Sequence, residues 1–433
     1  MQLAGVILDK YEALPSIGSK KPKLFYGYII VAAAFLIMVA MWGAYYSFGV
    51  FFKPLLSEFG WTRAMTSGAF SLCIFLFGLL GIGMGRLTDR FGPRVVISGC
   101  GFFLGLGYLL MSQVSALWQL YLFYGVIIAI GLSGSFVPLV STVARWFVER
   151  RGVMTGIAVS GIGAGTMIMP LVANWLISSY GWRTSYIVVG ITVLVLIIST
   201  AQFLRRDPGQ IGQLPYGADE VKVESLNSGT RGFSFQEAIH TRQFWMLGVA
   251  LLCFGASLQV IMVHIVSYAI DLGVSAASAA VILAIIGGLS TGGRVIMGSA
   301  GDRIGNKLAL IISFILMSAA LFWLLAAREL WRLYLFAVIF GFGYGGIAAL
   351  VSLIVAELFG LSSHGAILGS TEFIFTIGGA IGPVLAGRIF DITGSYNLAF
   401  LICATIAVMG VISILLLRPT TGSKETNDAK GSA

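Results

Sequence analysis

Charge is what this chain has least of. Only 10% of its 433 residues are Asp, Glu, Lys or Arg, while 58% are hydrophobic; about a quarter of an ordinary soluble domain is charged. That excludes a water-soluble globule and makes lipid the main solvent of the chain. Cysteine is scarce as well: Cys73, Cys100, Cys253 and Cys403 all fall inside apolar runs, with neither metal-ligand spacing nor a disulfide framework, and read as packing residues. Three histidines, scattered serines and no Gly-Lys-Ser/Thr phosphate loop leave no catalytic constellation, so neither an enzyme, a cofactor nor a resident metal is expected. A short apolar core followed by a small-residue cleavage site is also missing, so the first apolar run, from Leu24, is expected to be kept as a helix.

What the chain does have is apolar runs of membrane-spanning length. A helix needs roughly 20 apolar residues to cross the ~30 Å hydrocarbon core, and such runs recur at 25–54, 64–88, 94–114, 118–146, 152–179, 184–205, 242–270, 277–299, 307–327, 331–358, 364–390 and 396–418. The expected fold is therefore an all-α membrane protein with twelve transmembrane helices. Its 56 glycines would weaken soluble helices but let membrane helices approach backbone to backbone. The net charge of +9 does not mark a nucleic-acid binder, because the Lys and Arg sit between the apolar runs. Lys20, Lys21, Lys23, Arg90, Arg94, Arg145, Arg150, Arg151, Arg205 and Arg206 all fall on the side that carries both termini, which makes that side cytoplasmic.

The polar stretch 207–241, with Asp207, Pro208, Asp219, Glu220, Lys222, Glu224 and Arg231, divides the chain into six helices plus six. The expected order is a cytoplasmic N-terminal segment (1–24), a six-helix bundle (25–206), a cytoplasmic linker (207–241), a second six-helix bundle (242–418) and a cytoplasmic tail (419–433). An internal repeat supports the division. Gly85-Arg-Leu-Thr-Asp89-Arg90-Phe-Gly92-Pro-Arg94 after the second helix is answered by Gly298-Ser-Ala-Gly-Asp302-Arg303-Ile-Gly305-Asn-Lys307 after the eighth. Two parallel, pseudo-symmetric bundles place a substrate at the midplane between them.

At this loop the chain resembles the major facilitator superfamily, whose hallmark is G-x-x-x-D-R-x-G-(R/K)-(R/K); Pro93 stands where a basic residue is usual. The resemblance implies that Asp89, Arg90 and Arg94, with Asp302 and Arg303 in the second copy, form a gating network on the cytoplasmic side; plain positive-inside charge accounts for the arginines alone. Four further stretches are similar to the monocarboxylate transporter and oxalate/formate antiporter branch: Val50-Phe-Phe-Lys-Pro-Leu, Phe59-Gly-Trp-Thr-Arg63, Arg145-Trp-Phe-Val-Glu-Arg-Arg-Gly152 and Gly382-Pro-Val-Leu-Ala-Gly-Arg-Ile-Phe-Asp391. The third runs on through Met154–Gly165 to Gly181-Trp-Arg183, and the fourth into Ile392-Thr-Gly-Ser-Tyr396.

Arg294 is the only Lys or Arg well inside an apolar run. A cation at the bilayer centre costs at least about 2.5–3.5 kcal/mol, and about 12 Å of helix separates Arg294 from the loop at Asp302. Snorkelling to the headgroups is the bland reading; the glycines at 287, 288, 292 and 293 favour a cavity. The resemblance makes this arginine the substrate's ligand, and one guanidinium suits one carboxylate. It also places Thr371 where oxalate carriers have a second cation, which favours a monocarboxylate. Ser290 and Tyr46 stand where the animal relatives carry an Asp and a Lys, so their proton relay does not transfer. Glu372 lies at nearly the depth of Arg294 and reads either as a proton carrier that releases Arg294 to the substrate or as a static ion-pair partner. Resemblance to the bacterial branch adds Asp271 and His264 as proton-handling residues; near a helix end both also read as solvated polar groups. Asp271 reads either as a partner of Arg294 in one state or as the start of the loop to the eighth helix. The aromatic and apolar cavity wall is expected from Tyr45, Tyr46, Phe136, Ile162 and Tyr344, each of which also reads as packing.

The expected function is a secondary active transporter that moves a small monocarboxylate of the lactate, pyruvate or acetate type with protons by alternating access. Its partners would be the organic anion, protons and the lipid bilayer, it would work as a monomer, and its place would be a prokaryotic inner membrane. An organic anion exchanger of the oxalate/formate type is the alternative within transport; a non-transporting sensor that keeps the carrier fold is the alternative outside it.

Overall fold

The computed structural model describes residues 25–217, 233–360 and 363–417. The segment 1–24, the linker residues Asp219, Glu220, Lys222, Glu224 and Arg231, and the tail 419–433 lie outside the described residues. The helices among the described residues are α1 (Tyr26–Phe59), α2 (Arg63–Phe91), α3 (Pro93–Met111), α4 (Leu117–Trp146), α5 (151–180), α6 (182–201), α7 (Arg242–Asp271), α8 (Ala276–Ile304), α9 (Asn306–Ala326), α10 (Leu330–Phe359), α11 (His364–Thr393) and α12 (Asn397–Leu415). α5 and α6 share one helical run of 51 residues, Arg151–Ala201, but Gly181 inside it has φ 79° and ψ 161°, a bend only glycine makes cheaply. The twelve expected spans are therefore present, and α1 runs past its expected end, through Pro54, to Phe59.

The helix ends follow from local chemistry. Thr62 caps α2, its hydroxyl accepting from Met65 N at 3.2 Å. The repeated loops end alike: Gly92 and Gly305 have φ 81° and 88°, and their N–H groups donate to Thr88 O and Gly301 O at 2.9 and 3.0 Å. The last glycine of each repeat is therefore the residue that turns the chain out of α2 or α8. α4 is the least regular span, with a π-helical stretch, Tyr121–Ile128, and a break before Val137.

Helix contacts show the pseudo-symmetry directly. In the first bundle α1 packs on α5, α2 on α4 and α3 on α6; in the second α7 packs on α11, α8 on α10 and α9 on α12. The bundles meet through α2 with α11 and through α5 with α8, which are the same contact under the two-fold, and through the end of α1 against α7.

The two contacts are close at one end and open at the other. Near the ends of α2 and α11 away from Phe25 and Leu417, a Cβ on Gly387 would lie 2.7 Å from Ala64 N; between α5 and α8 a Cβ on Gly287 would lie 2.5 Å from Met167 N. Toward the face that carries Phe25 and Leu417, here the terminal face, Gly81, Gly83, Gly365 and Gly369 on α2 and α11 would meet nothing within 4 Å. Among the described residues, every ion pair joining the bundles involves Lys53 or Arg63, and with the bonds of Ala64 and Ser67 these form a polar cluster at the opposite face. The bundles are thus shut at the opposite face and parted at the terminal face.

A side chain at position 387 should hold the opposite face open. In a background with the four cysteines replaced by alanine, Ser67→Cys should resist a water-soluble maleimide and become reactive when Gly387→Leu is added. Equal protection in both would show that closure does not depend on this contact.

Candidate functional site

Arg294 sits on α8 between the bundles, 8% exposed. Its Nη1 donates to Ser290 Oγ at 3.3 Å and its Nη2 to the Tyr344 hydroxyl at 3.1 Å, while Nε, also buried, has no partner. Both bonds run toward the opposite face, as expected for a side chain that leans toward its helix N-terminus. Glycines make room for this arrangement: a Cβ on Gly345 would lie 2.0 Å from Ser290 O and one on Gly293 would lie 2.2 Å from Phe342 O, so α8 and α10 touch backbone to backbone around the arginine. Two neutral hydroxyls accept from the cation, and no carboxylate among the described residues lies within ion-pair distance. A buried guanidinium bonded only to neutral hydroxyls keeps its charge unbalanced and has donor capacity left over.

Tyr46 joins this cluster from α1: its hydroxyl lies by the Tyr344 hydroxyl, the Gln259 amide and the charge of Arg294. Tyr344 itself lies 6.1 Å, ring to ring, from Phe254 of α7. Three of the expected site residues, Arg294, Tyr344 and Tyr46, are therefore brought together.

The others lie elsewhere. Tyr45 is turned into the first bundle, stacked on Phe70 at 4.6 Å and fully buried, because α1 points successive residues about 100° apart and only one of two neighbours can face the partner bundle. Phe136 caps the last segment of α4 and packs against the core, with no bond to the arginine cluster. Ile162 and Thr371 are buried on α5 and α11; the hydroxyl of Thr371 is spent on Leu368 O at 2.8 Å. Glu372 is half-buried on α11 and makes no ion pair among the described residues, so it is not the static partner of Arg294 in this state. Asp271 does not reach Arg294 either. Arg294 stands well over half-way along α8 from its opposite-face end, roughly 27 Å along the axis, and Asp271 is held at that end by other cations.

Those cations belong to a second cluster, at the opposite face. Asp271 accepts from Lys53 and, at 2.5 Å, from Arg63 Nη2. Arg63 Nη1 donates to the Tyr396 hydroxyl at 2.6 Å, and the guanidinium lies 3.6 Å from the centre of the Phe390 ring. Asp391 accepts from Arg63 N and Ala64 N, both at 2.9 Å. These are the first two N–H groups of α2, left over by Thr62, which serves the third. A carboxylate of one bundle thus caps a helix of the other, where the macrodipole favours it. His264 is wholly buried beneath: Nε2 donates to Pro383 O at 2.9 Å, so Nδ1 accepts from the Tyr396 hydroxyl at 2.9 Å. The expectation of a solvated His264 is corrected by this burial.

Sequence reading missed Lys53, Arg63, Asp391 and Tyr396 as a cluster. The signal was present, since the four lie in or just after the Val50, Phe59 and Gly382 stretches quoted above. At the terminal face Asp89 pairs with Arg145, within the first bundle, and Arg94 Nε donates to Gln202 at 2.6 Å, also within it. Arg90 lies over Phe91, and Asp302 and Arg303 are exposed without an ion pair among the described residues. The expected gating residues therefore do not join the bundles here.

Comparison with known proteins accords with this architecture. The profile of the Major Facilitator Superfamily matches residues 30–300 and 292–433. Monocarboxylate transporter 13 of Rattus norvegicus is 28% identical, covering 89% of this chain and 87% of its own. Monocarboxylate transporter 12 of Homo sapiens is 27% identical (87% and 78%), and monocarboxylate transporter 4 of Rattus norvegicus 26% (96% and 87%). Among solved structures, a bacterial homolog to the human lysosomal transporter Spinster, inward-facing and occupied, superposes with a TM-score of 0.70 at 16% identity, over 91% of this chain and 97% of that one. That likeness is one of fold.

Removing the cross-bundle cap should loosen the closed face. Net hydrogen bonds to a charged group are worth about 1.5–3 kcal/mol, so Asp391→Ala is expected to move the balance toward an open opposite face by about tenfold or more. Distances between spin labels on the opposite-face ends of the two bundles would report it; an unchanged distribution would mean that the cap does not bear on closure.

Proposed function

Because the chain belongs to the Major Facilitator Superfamily, we propose that it is a secondary active carrier that moves a small monocarboxylate together with a proton by alternating access. The observation that carries this reading is Arg294, a cation in the membrane interior bound only to neutral hydroxyls, between bundles that part toward one face. A single guanidinium fork fits a single carboxylate, and the resemblance to monocarboxylate transporters points the same way. Tyr46, Tyr344 and Phe254 supply the aromatic wall for the cargo's carbon end.

The terminal face carries Arg86, Arg90, Arg94, Arg145, Arg150, Arg151, Arg205, Arg206, Arg303 and Lys307, which supports reading it as the cytoplasmic one and the state described as inward-open. Glu372, half-buried and unpaired beside the parted interface, is the group placed to carry the proton. Protonated, it crosses without charge; ionised, it balances Arg294 once the substrate has left. Asp271 belongs to the latch in this state and enters coupling only when the latch opens.

Exchange is the second reading, and the same observation favours it. An Arg294 left without a counter-charge resists the return of an empty carrier through a low dielectric, which would oblige the protein to swap one anion for another. The two readings part in proteoliposomes holding the purified protein and given labelled lactate. Symport predicts accumulation under an inward proton gradient, faster as the outer solution is acidified. Exchange predicts flux only into vesicles preloaded with another acid.

Arg294→Lys keeps the charge but loses the fork. It should weaken lactate uptake by about tenfold or more, because the lost second bond of the fork, a hydrogen bond to a charged group, is worth about 1.5–3 kcal/mol. Normal uptake by a well-inserted variant would remove Arg294 from the site. Glu372→Gln should keep exchange yet lose gradient-driven accumulation and its pH dependence; a variant that still accumulates would clear Glu372 of the proton role.

A further inference from the structure

Gln259 is the most conspicuous unspent polar group in the molecule. It lies on α7, wholly buried, and neither Nε2 nor Oε1 completes a hydrogen bond. An amide buried in this way forfeits the hydrogen bonds it made to water, and an apolar residue of the same shape would avoid that cost. The side chain is also held in place: Gly379 of α11 packs against it so closely that a Cβ there would lie 3.0 Å from Gln259 Cγ. The Tyr46 hydroxyl, which also faces Tyr344 and Arg294, lies close enough to the amide to interact with it but does not complete a hydrogen bond of good geometry.

Depth brings the amide and the guanidinium together. Gln259 stands about 25 Å along α7 from the terminal-face end, and its side chain leans back toward that end. Arg294 stands about 15 Å up α8 from the same face, and its side chain leans the other way, onto Ser290 one turn above. The two groups, on two helices of the second bundle, lean toward one layer, where the Tyr46 hydroxyl of the first bundle lies by both.

We propose that Gln259 is a specificity-determining residue of the carrier: its amide bonds the polar atom on the carbon next to the cargo's carboxylate. With the carboxylate on Arg294, a hydroxyl at that carbon donates to Oε1 and a keto oxygen there accepts from Nε2, so one amide serves both 2-hydroxy and 2-oxo acids. A fatty acid of equal length carries only hydrogens at that carbon and leaves the amide unpaired, and sites built to bond a polar group reject analogues that lack it. This inference rests on the carrier reading above and adds to it a residue that tells lactate from propionate.

The test is paired uptake of labelled L-lactate and labelled propionate by the same proteoliposomes, for the parent and for Gln259→Leu. The parent should favour lactate. In the variant the KM for lactate should rise about tenfold or more, the KM for propionate should stay or fall, and their ratio should shift by at least tenfold. A merely structural role would weaken both acids together, so an unchanged ratio overturns the assignment. Should Gln259→Leu fail to insert, Gln259→Met, matched in length, carries the same ratio. A parent that moves neither acid overturns the carrier reading and the role of Gln259 with it.

Discussion

A guanidinium cannot rest uncompensated in hydrocarbon, and much of this architecture follows from having one at Arg294. The cost of a buried cation falls only if dipoles, water or an anion reach it. Ser290 and Tyr344 supply two dipoles. Water, and the anion of the proposed cargo, need a route, which obliges the bundles to part on one side; keeping the membrane sealed then obliges them to meet on the other. The placement of the glycines answers both demands. Where α2 meets α11 and α5 meets α8 the backbones touch, and nearer the terminal face glycines of α2 and α11 have open space before them.

Close contact alone does not hold two apolar surfaces together in lipid, because lipid tails solvate them as well as another helix does. The bonds that choose this partner are polar and sit where water can take them over: Lys53 and Arg63 on Asp271, and Asp391 on the first amides of α2. His264 and Tyr396 extend the array inward and fix the imidazole tautomer. The charge network of the terminal face is built differently, with Asp89 and Arg145 paired inside one bundle rather than across two.

The features legible in the sequence were those with a local signature. Spans followed from run length, the turns at Gly92 and Gly305 from the repeated spacing, and Arg294 with Tyr344 from a lone cation and an aromatic in glycine-rich surroundings. Asp271 was recognised as important but its partners in this state, Lys53 and Arg63, were not legible, and Tyr45 was assigned to a wall it faces away from. Both concern direction rather than identity: the rotation of a helix is fixed by what it packs on, and those neighbours lie far off in sequence. Asp391 meets Arg63 across 328 positions, and Arg63 meets Asp271 across 208. No periodicity within one helix encodes such a meeting. Gln259 was visible as an amide in an apolar run, yet only the orphaned state of both its polar atoms gave it meaning.

The cap that Asp391 sets on α2 has a bearing on how reversible the cycle is. When the opposite face opens, the amides of Arg63 and Ala64 and the carboxylate itself are handed to an aqueous rim instead of being stranded in lipid, so opening is an exchange of hydrogen-bond partners. Each such exchange differs by only about 0.5–3 kcal/mol. A ligand shifts a conformational balance no further than its unequal affinity for the two states allows. A lock of this size therefore lies within reach of one small anion.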